Sequence, residues 1–163
     1  MKVVVDTNVL VVANGKAPHA SQDCILACIE EIEKVYRTEN LIILDDAWHI
    51  LKEYRNNLRD EGEPGLGDAF LKWILQNRSN SRRCEQVHIT PLPGGSFSEF
   101  PQEESLAGFD PSDHKFVAVN RAHPHNPPIL NAVDTDWWRF RHSLQRHGIE
   151  IVFVCPDAMP AGS

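Results

Sequence analysis

Apolar residues along this chain alternate between short unbroken runs and stretches with three- and four-residue spacing. Lys2-Val3-Val4-Val5 opens it with three consecutive β-branched residues, a run that suits a strand buried on both faces. Leu41-Ile42-Ile43-Leu44 has the same character, and residues 129–133 and 149–154 predict two more strands. Val87-His88-Ile89-Thr90 predicts a short strand between them. Residues 9–13 continue apolar after the first strand and break at Asn14-Gly15.

Helical spacing fills the intervals. Ile25, Cys28, Ile29, Ile32 and Val35 predict a helix to about Tyr36, with Pro18 suited to its first turn. Ala47, Ile50, Leu51, Tyr54 and Leu58 make the inner face of a second helix. After a turn over residues 62–67, Phe70, Trp73, Ile74 and Asn77 predict a third, ending in the basic polar run 78–83. Asp110-Pro111-Ser112-Asp113 reads as a helix start, with Asp at the cap, Pro at the first position and an acid at the third. That helix carries Phe116, Val117 and Asn120 and stops before His123-Pro124. Trp137, Phe140 and Leu144 stripe the last one, up to Gly148. Residues 91–109, rich in Pro, Gly, Ser and Glu, read as a long surface loop of the lid or binding-loop kind.

Strands alternating with helices predict an α/β protein with right-handed crossovers and a mainly parallel sheet covered on both faces. The length of 163 residues suits one domain, residues 1–154, followed by a tail over 155–163. No run approaches the ~20 apolar residues of a bilayer span, and Asp6 and Asn8 interrupt the N-terminus too early for a signal peptide. The expectation is therefore a cytoplasmic protein with no membrane partner. Cys24, Cys28, Cys84 and Cys155 form no C-x-x-C pair, and His123 and His125 stand apart in a Pro-rich loop. Reduced, buried thiols are expected rather than a zinc site. The net charge of −7 argues against coating nucleic acid by bulk electrostatics, but is compatible with acids gathered around a divalent metal.

The acids have a pattern. Asp6, the Asp45-Asp46 pair, and Asp134 with Asp136 all follow predicted strands. They would lie at the carboxyl edge, where open α/β sheets bind ligands. Glu53 and Asp113 lie near helix starts facing the same edge, Asp113 only if the preceding loop returns there. On a continuous helix Asp46 and Glu53 would project within about 20° of each other, with His49 on that side. Asp46 is thus a candidate support, while one of the Asp45-Asp46 pair is expected to cap the helix. Carboxylates held together raise one another's pKa unless a cation neutralises them. Oxygen-only ligands select Mg²⁺ or Mn²⁺, and such a metal serves phosphodiester hydrolysis. Each acid also has a plainer role: Asp6 in a strand-ending turn, Asp113 as a helix-start acid, Glu53 as a solvated helix residue. Thr7 and Asn8 are placed to orient Asp6 or hold water.

Val4-Val5-Asp6-Thr7-Asn8-Val9-Leu10, Glu53 before Tyr54-Arg55, Asp113 in Ser112-Asp113-His114-Lys115-Phe116, and Asp134-Thr135-Asp136-Trp137 come in a telling order. Together they resemble the motifs of the PIN-domain nucleases, over residues 1–154. The resemblance implies a Rossmann-like α/β/α sandwich with strand order 3-2-1-4-5. It implies a Mg²⁺- or Mn²⁺-dependent endoribonuclease whose catalytic, metal-binding residues are Asp6, Glu53, Asp113 and Asp134, with Asp136 in support. Asp6 and Asp134 would flank the topological switch point. Many single-domain members of this size are VapC-type toxins that cleave RNA and are silenced by an antitoxin, so an antitoxin protein and a homodimer are the implied partners. Ala132 and Trp137 depart from the usual Thr and Phe of the last motif. With RNA as substrate, Arg139, His142 and Arg146 at i, i+3 and i+7 are candidates to grip phosphates, joined by Lys16 and Arg121 and by Arg78, Arg82 and Arg83. The same stripe also reads as a solvated helix face. Two rival readings stand beside this one. A non-catalytic RNA-binding or scaffolding PIN domain would be expected to lose one of the four acids. A haloacid-dehalogenase-like Mg²⁺ phosphohydrolase wants Asp-x-Asp after the first strand, where Asn8 stands.

Overall fold

Five short strands, β1 (Lys2–Val5), β2 (Leu41–Asp45), β3 (Cys84–Val87), β4 (Ile129–Asn131) and β5 (Ile151–Phe153), pair into one sheet in a computed structural model. All pairings are parallel and the order is β3-β2-β1-β4-β5, the order expected. The structure describes residues 1–38, 40–59 and 64–161. Val3, Val4, Val5, Ile42, Ile43 and Leu44 are all buried, so the central strands are covered on both faces as their unbroken apolar runs require.

Six α-helices are described: α1 (Thr7–Ala13), α2 (Gln22–Arg37), α3 (His49–Asn57), α4 (Leu66–Asn77), α5 (His114–Ala122) and α6 (Thr135–Arg146). Only Asp6 separates the end of β1 from the start of helix α1. The apolar residues 9–13 are therefore a short buried helix, with Val9, Leu10, Val12 and Ala13 inside. Helices α1 and α4 meet at Gly67, where an added Cβ would stand 2.1 Å from the Leu10 carbonyl oxygen. Only glycine permits that approach.

Several boundaries differ from the sequence reading. Helix α2 starts under Ser21, whose hydroxyl accepts from the Cys24 amide at 3.1 Å, so Pro18 precedes the helix. Helix α3 starts at His49 because Trp48 adopts a left-handed conformation, φ 65°, leaving Ala47 exposed outside it. Strand β3 lies earlier than predicted, Cys84 pairing with Ile42 and Val87 with Asp45. Of the predicted turn 62–67, residues 62 and 63 lie outside the described residues.

Residues 91–109 are more than a surface loop. Phe97, Phe100, Leu106 and Phe109 are buried, and Phe100 stacks on His114 with ring centroids 3.6 Å apart. His114 Nε2 donates to the Phe109 carbonyl at 3.0 Å, leaving Nδ1 to accept from the Ser96 hydroxyl at 2.8 Å. Burial holds this imidazole's pKa below its ordinary value, in keeping with a neutral ring. The loop is thereby pinned to the start of α5.

The cysteine expectation is corrected in part. Cys24 and Cys155 form a disulfide, their Cα atoms 5.4 Å apart, while Cys28 and Cys84 are free and buried. The segment after β5 turns back to the start of α2, a proximity that spacing along the chain does not reveal. Cys155 and Met159 are buried, so the expected tail is anchored at both residues. No helix among the described residues is long and apolar enough to cross a membrane.

Candidate metal centre

The switch point between β1 and β4 gathers the acids. Asp6 follows β1 directly; its amide donates to the Leu130 carbonyl at 3.0 Å, tying it to β4. Its side chain makes no capping bond to α1. Instead Asp6 Oδ2 accepts from Asn131 Nδ2 at 2.7 Å. Asn131 Oδ1 in turn accepts from the Asp134 amide at 3.2 Å, so one buried amide side chain orients both acids. Asp134 also caps α6, its Oδ1 accepting from the Asp136 amide at 2.9 Å.

Asp113 arrives from the other side of the sequence. Asp110 caps a 3₁₀ turn, Pro111–Asp113, accepting from the Ser112 amide at 2.9 Å. The turn delivers Asp113 to the start of α5, where its carboxylate makes no capping bond. The loop before it does return to the edge. A carboxylate oxygen from each of Asp6, Asp113 and Asp134 lies within 4.8 Å of the others.

Repulsion and burial mark this cluster. Burial, then the carboxylates of Asp113, Glu53 and Asp134, push the Asp6 carboxyl well above the usual range. Burial and the charges of Asp134 and Glu53 push Asp113 up to about 7. Asp134 is raised by burial, against the opposing hydrogen bond from the Asp136 amide. Three converging oxygen donors, two of them free of capping duty, suit a hard divalent cation with waters completing its shell.

The other candidate residues stand around this core rather than in it. Glu53 faces Asp6 and Asp113 closely enough to raise both, but its own carboxylate is engaged: Oε1 pairs with Lys115 Nζ at 2.7 Å and Oε2 accepts from the Thr7 hydroxyl. The Thr7 hydroxyl therefore positions Glu53, while the Thr7 backbone contacts Asp6. Asp136 Oδ2 accepts from the Asp110 amide at 3.2 Å, tying the Asp110 turn to α6. Asn8 Oδ1 accepts from the Ala132 amide at 3.0 Å, clamping α1 to the end of β4, and its buried Nδ2 has no partner.

Asp46 is corrected. It lies outside α3, in the turn before Trp48, and its carboxylate meets His88 Nδ1 at 3.1 Å. Asp45 is the cap: Oδ2 accepts from the His49 amide and from His49 Nδ1, both at 2.8 Å, and Oδ1 accepts from the Ile50 amide at 2.9 Å.

Two residues at the site went unremarked in the sequence. Asn131 is a lone polar side chain inside an apolar strand run, a signal that was there to read. Lys115 looks like an ordinary exposed helix lysine, and only the meeting of α3 and α5 shows its partner. Among the basic candidates, Arg139 pairs with Asp136 at 3.8 Å, Arg146 donates to Ser143, and Arg121 donates to the His147 carbonyl at 2.9 Å. Lys16 borders a separate cleft with Asn14 and Arg59, and His142 is exposed on α6. Compared with family models, curated proteins and solved structures, the chain matches none.

Proposed function

We propose that this protein is a divalent-metal-dependent endoribonuclease whose Asp6, Asp113 and Asp134 hold Mg²⁺ or Mn²⁺. The observation that carries the reading is the convergence of three carboxylates from distant segments at the β1/β4 switch point, each with its proton affinity raised. A cation bound there would bring a water to nucleophile strength near neutral pH and offset phosphate charge. Asn131 would keep Asp6 and Asp134 in ligand geometry. Glu53, held by Thr7 and Lys115, would accept the proton of the attacking water, and Lys115 would face the phosphate.

RNA as the substrate rests on the motifs shared with PIN-domain nucleases, and a toxin role with an antitoxin partner and a homodimer extends the same resemblance. The Lys115–Glu53 ion pair favours one alternative, a non-catalytic RNA-binding domain in which lysine silences the acid. An RNA-cleavage assay in Mn²⁺ and in EDTA, with Asp6→Asn beside the wild type, separates them. Cleavage that needs Mn²⁺ and Asp6 is the expected result. RNA binding without cleavage selects the alternative, and metal-dependent cleavage by Asp6→Asn would refute the assigned ligands.

A further inference from the structure

A cleft of ≈ 420 Å³ opens beside the acid cluster, between α3 and the turn of residues 91–97. Its size is in the range of small-molecule sites. The turn is built to hold a shape: Pro91 and Phe97 bridge antiparallel, and the Leu92 amide donates to the Ser96 carbonyl at 2.8 Å. Phe97 and His49 meet in a T-shaped ring pair, centroids 5.3 Å apart, joining the two walls.

The chemistry of the walls is divided. Pro91, Leu92 and Pro111 supply apolar lining. His49, Lys52 and Asn56, on α3, supply polar groups, and Lys52 is exposed. His49 is pre-set by a buried partner. The Asp45 carboxylate takes the Nδ1 hydrogen at 2.8 Å, which fixes the tautomer and leaves Nε2 as the nitrogen available to a ligand. Glu53 and Lys115 line the cleft too, so it reaches the carboxylate that faces Asp6 and Asp113. Lys115 is engaged by Glu53, so the positive charge presented at the mouth is that of exposed Lys52. A flat ring with an anionic tail is the ligand these walls fit.

We propose that this cleft receives the nucleotide next to the scissile phosphate of single-stranded RNA. Its base lies against Pro91, Leu92 and Pro111, its edge is read by His49 Nε2, and its phosphate meets Lys52. The assignment rests on the endoribonuclease reading and adds to it a residue-level basis for where the strand is cut. Duplex RNA is excluded, because a paired base cannot turn into the cleft.

The test maps Mn²⁺-dependent cuts in a single-stranded RNA that offers all four bases at every position, for wild type, His49→Gln and Lys52→Ala. The wild type should prefer one base beside the cut by about tenfold. His49→Gln should flatten that preference, and Lys52→Ala should raise KM by about fivefold with little change in kcat. The Mn²⁺ thermal shift should persist in both variants. An unchanged cutting pattern and unchanged KM in both would overturn the cleft while leaving the nuclease standing. Binding of the same RNA to Asp6→Asn and to Asp6→Asn/Lys52→Ala is measured in parallel, so that absence of cutting does not decide the matter. A loss of affinity on adding Lys52→Ala supports the cleft, and equal affinity overturns it.

Discussion

Asp6 and Asp45 follow or end neighbouring strands of one sheet, and both are buried, at 3% and 0% exposure. Their surroundings are opposite. Asp45 accepts three hydrogen bonds, two from amides opening α3 and one from His49. Asp6 receives the Asn131 amide and a Thr7 backbone contact, and faces the carboxylates of Asp113, Glu53 and Asp134. Burial alone therefore says little about function. What separates the two acids is how fully the protein itself hydrogen-bonds them: Asp45 is satisfied by three donors, whereas Asp6 is left facing other carboxylates.

That contrast can be broken by substitution. Asp6→Asn should lower RNA cleavage by about a thousandfold or more while the protein stays folded, measured by single-turnover cleavage and circular dichroism. Asp45→Ala should do the reverse, costing about 3 kcal/mol in urea unfolding by orphaning the first amides of α3 and the His49 ring, while the folded fraction still cleaves. If the two variants behave alike, the distinction fails.

The next effect is one of pH. Asp6, Asp113 and Asp134 have folded-state pKa values above those of the unfolded chain. The folded state therefore binds more protons between the two values, and the stability these three acids contribute without metal is full below about 4 and lost as pH rises through the folded values, about 7 for Asp113. The metal-free melting temperature should fall by several degrees between pH 4.5 and 7.5, and less in Asp6→Asn. His114, whose lowered pKa acts in the opposite direction, is common to both proteins, so a wild-type melting temperature that does not fall relative to that of Asp6→Asn would contradict the assignment. Smallest of all, Asp136→Asn should reduce cleavage by less than about tenfold, because its carboxylate ties the Asp110 turn and only supports the cluster. Asp134→Asn should match Asp6→Asn.

Strands β1, β2, β4 and β5 and the acids of the edge were legible from short, largely apolar runs, three of which lead into aspartates, whereas the strand order came only with the resemblance in motifs. Strand β3 was misplaced because Cys84-Glu85-Gln86-Val87, at the sheet edge, carries little apolar signal. Asp46 was misplaced for a different reason: periodicity assumes a continuous helix, and the left-handed Trp48 breaks it. The aromatics of residues 91–109 follow no regular period, so their burial around His114 depends on tertiary contacts. The Cys24–Cys155 bond and the Lys115–Glu53 pair join segments far apart in sequence, beyond the reach of any local pattern.

Thermal unfolding at pH 7.5 of the wild type, Asp6→Asn and Asp45→Ala, each with EDTA and with Mn²⁺, tests the metal centre most directly. Mn²⁺ should raise the melting temperature of the wild type and of Asp45→Ala but not of Asp6→Asn, and metal-free Asp6→Asn should be at least as stable as the metal-free wild type. A full Mn²⁺ shift in Asp6→Asn, or no shift in the wild type, would contradict the account.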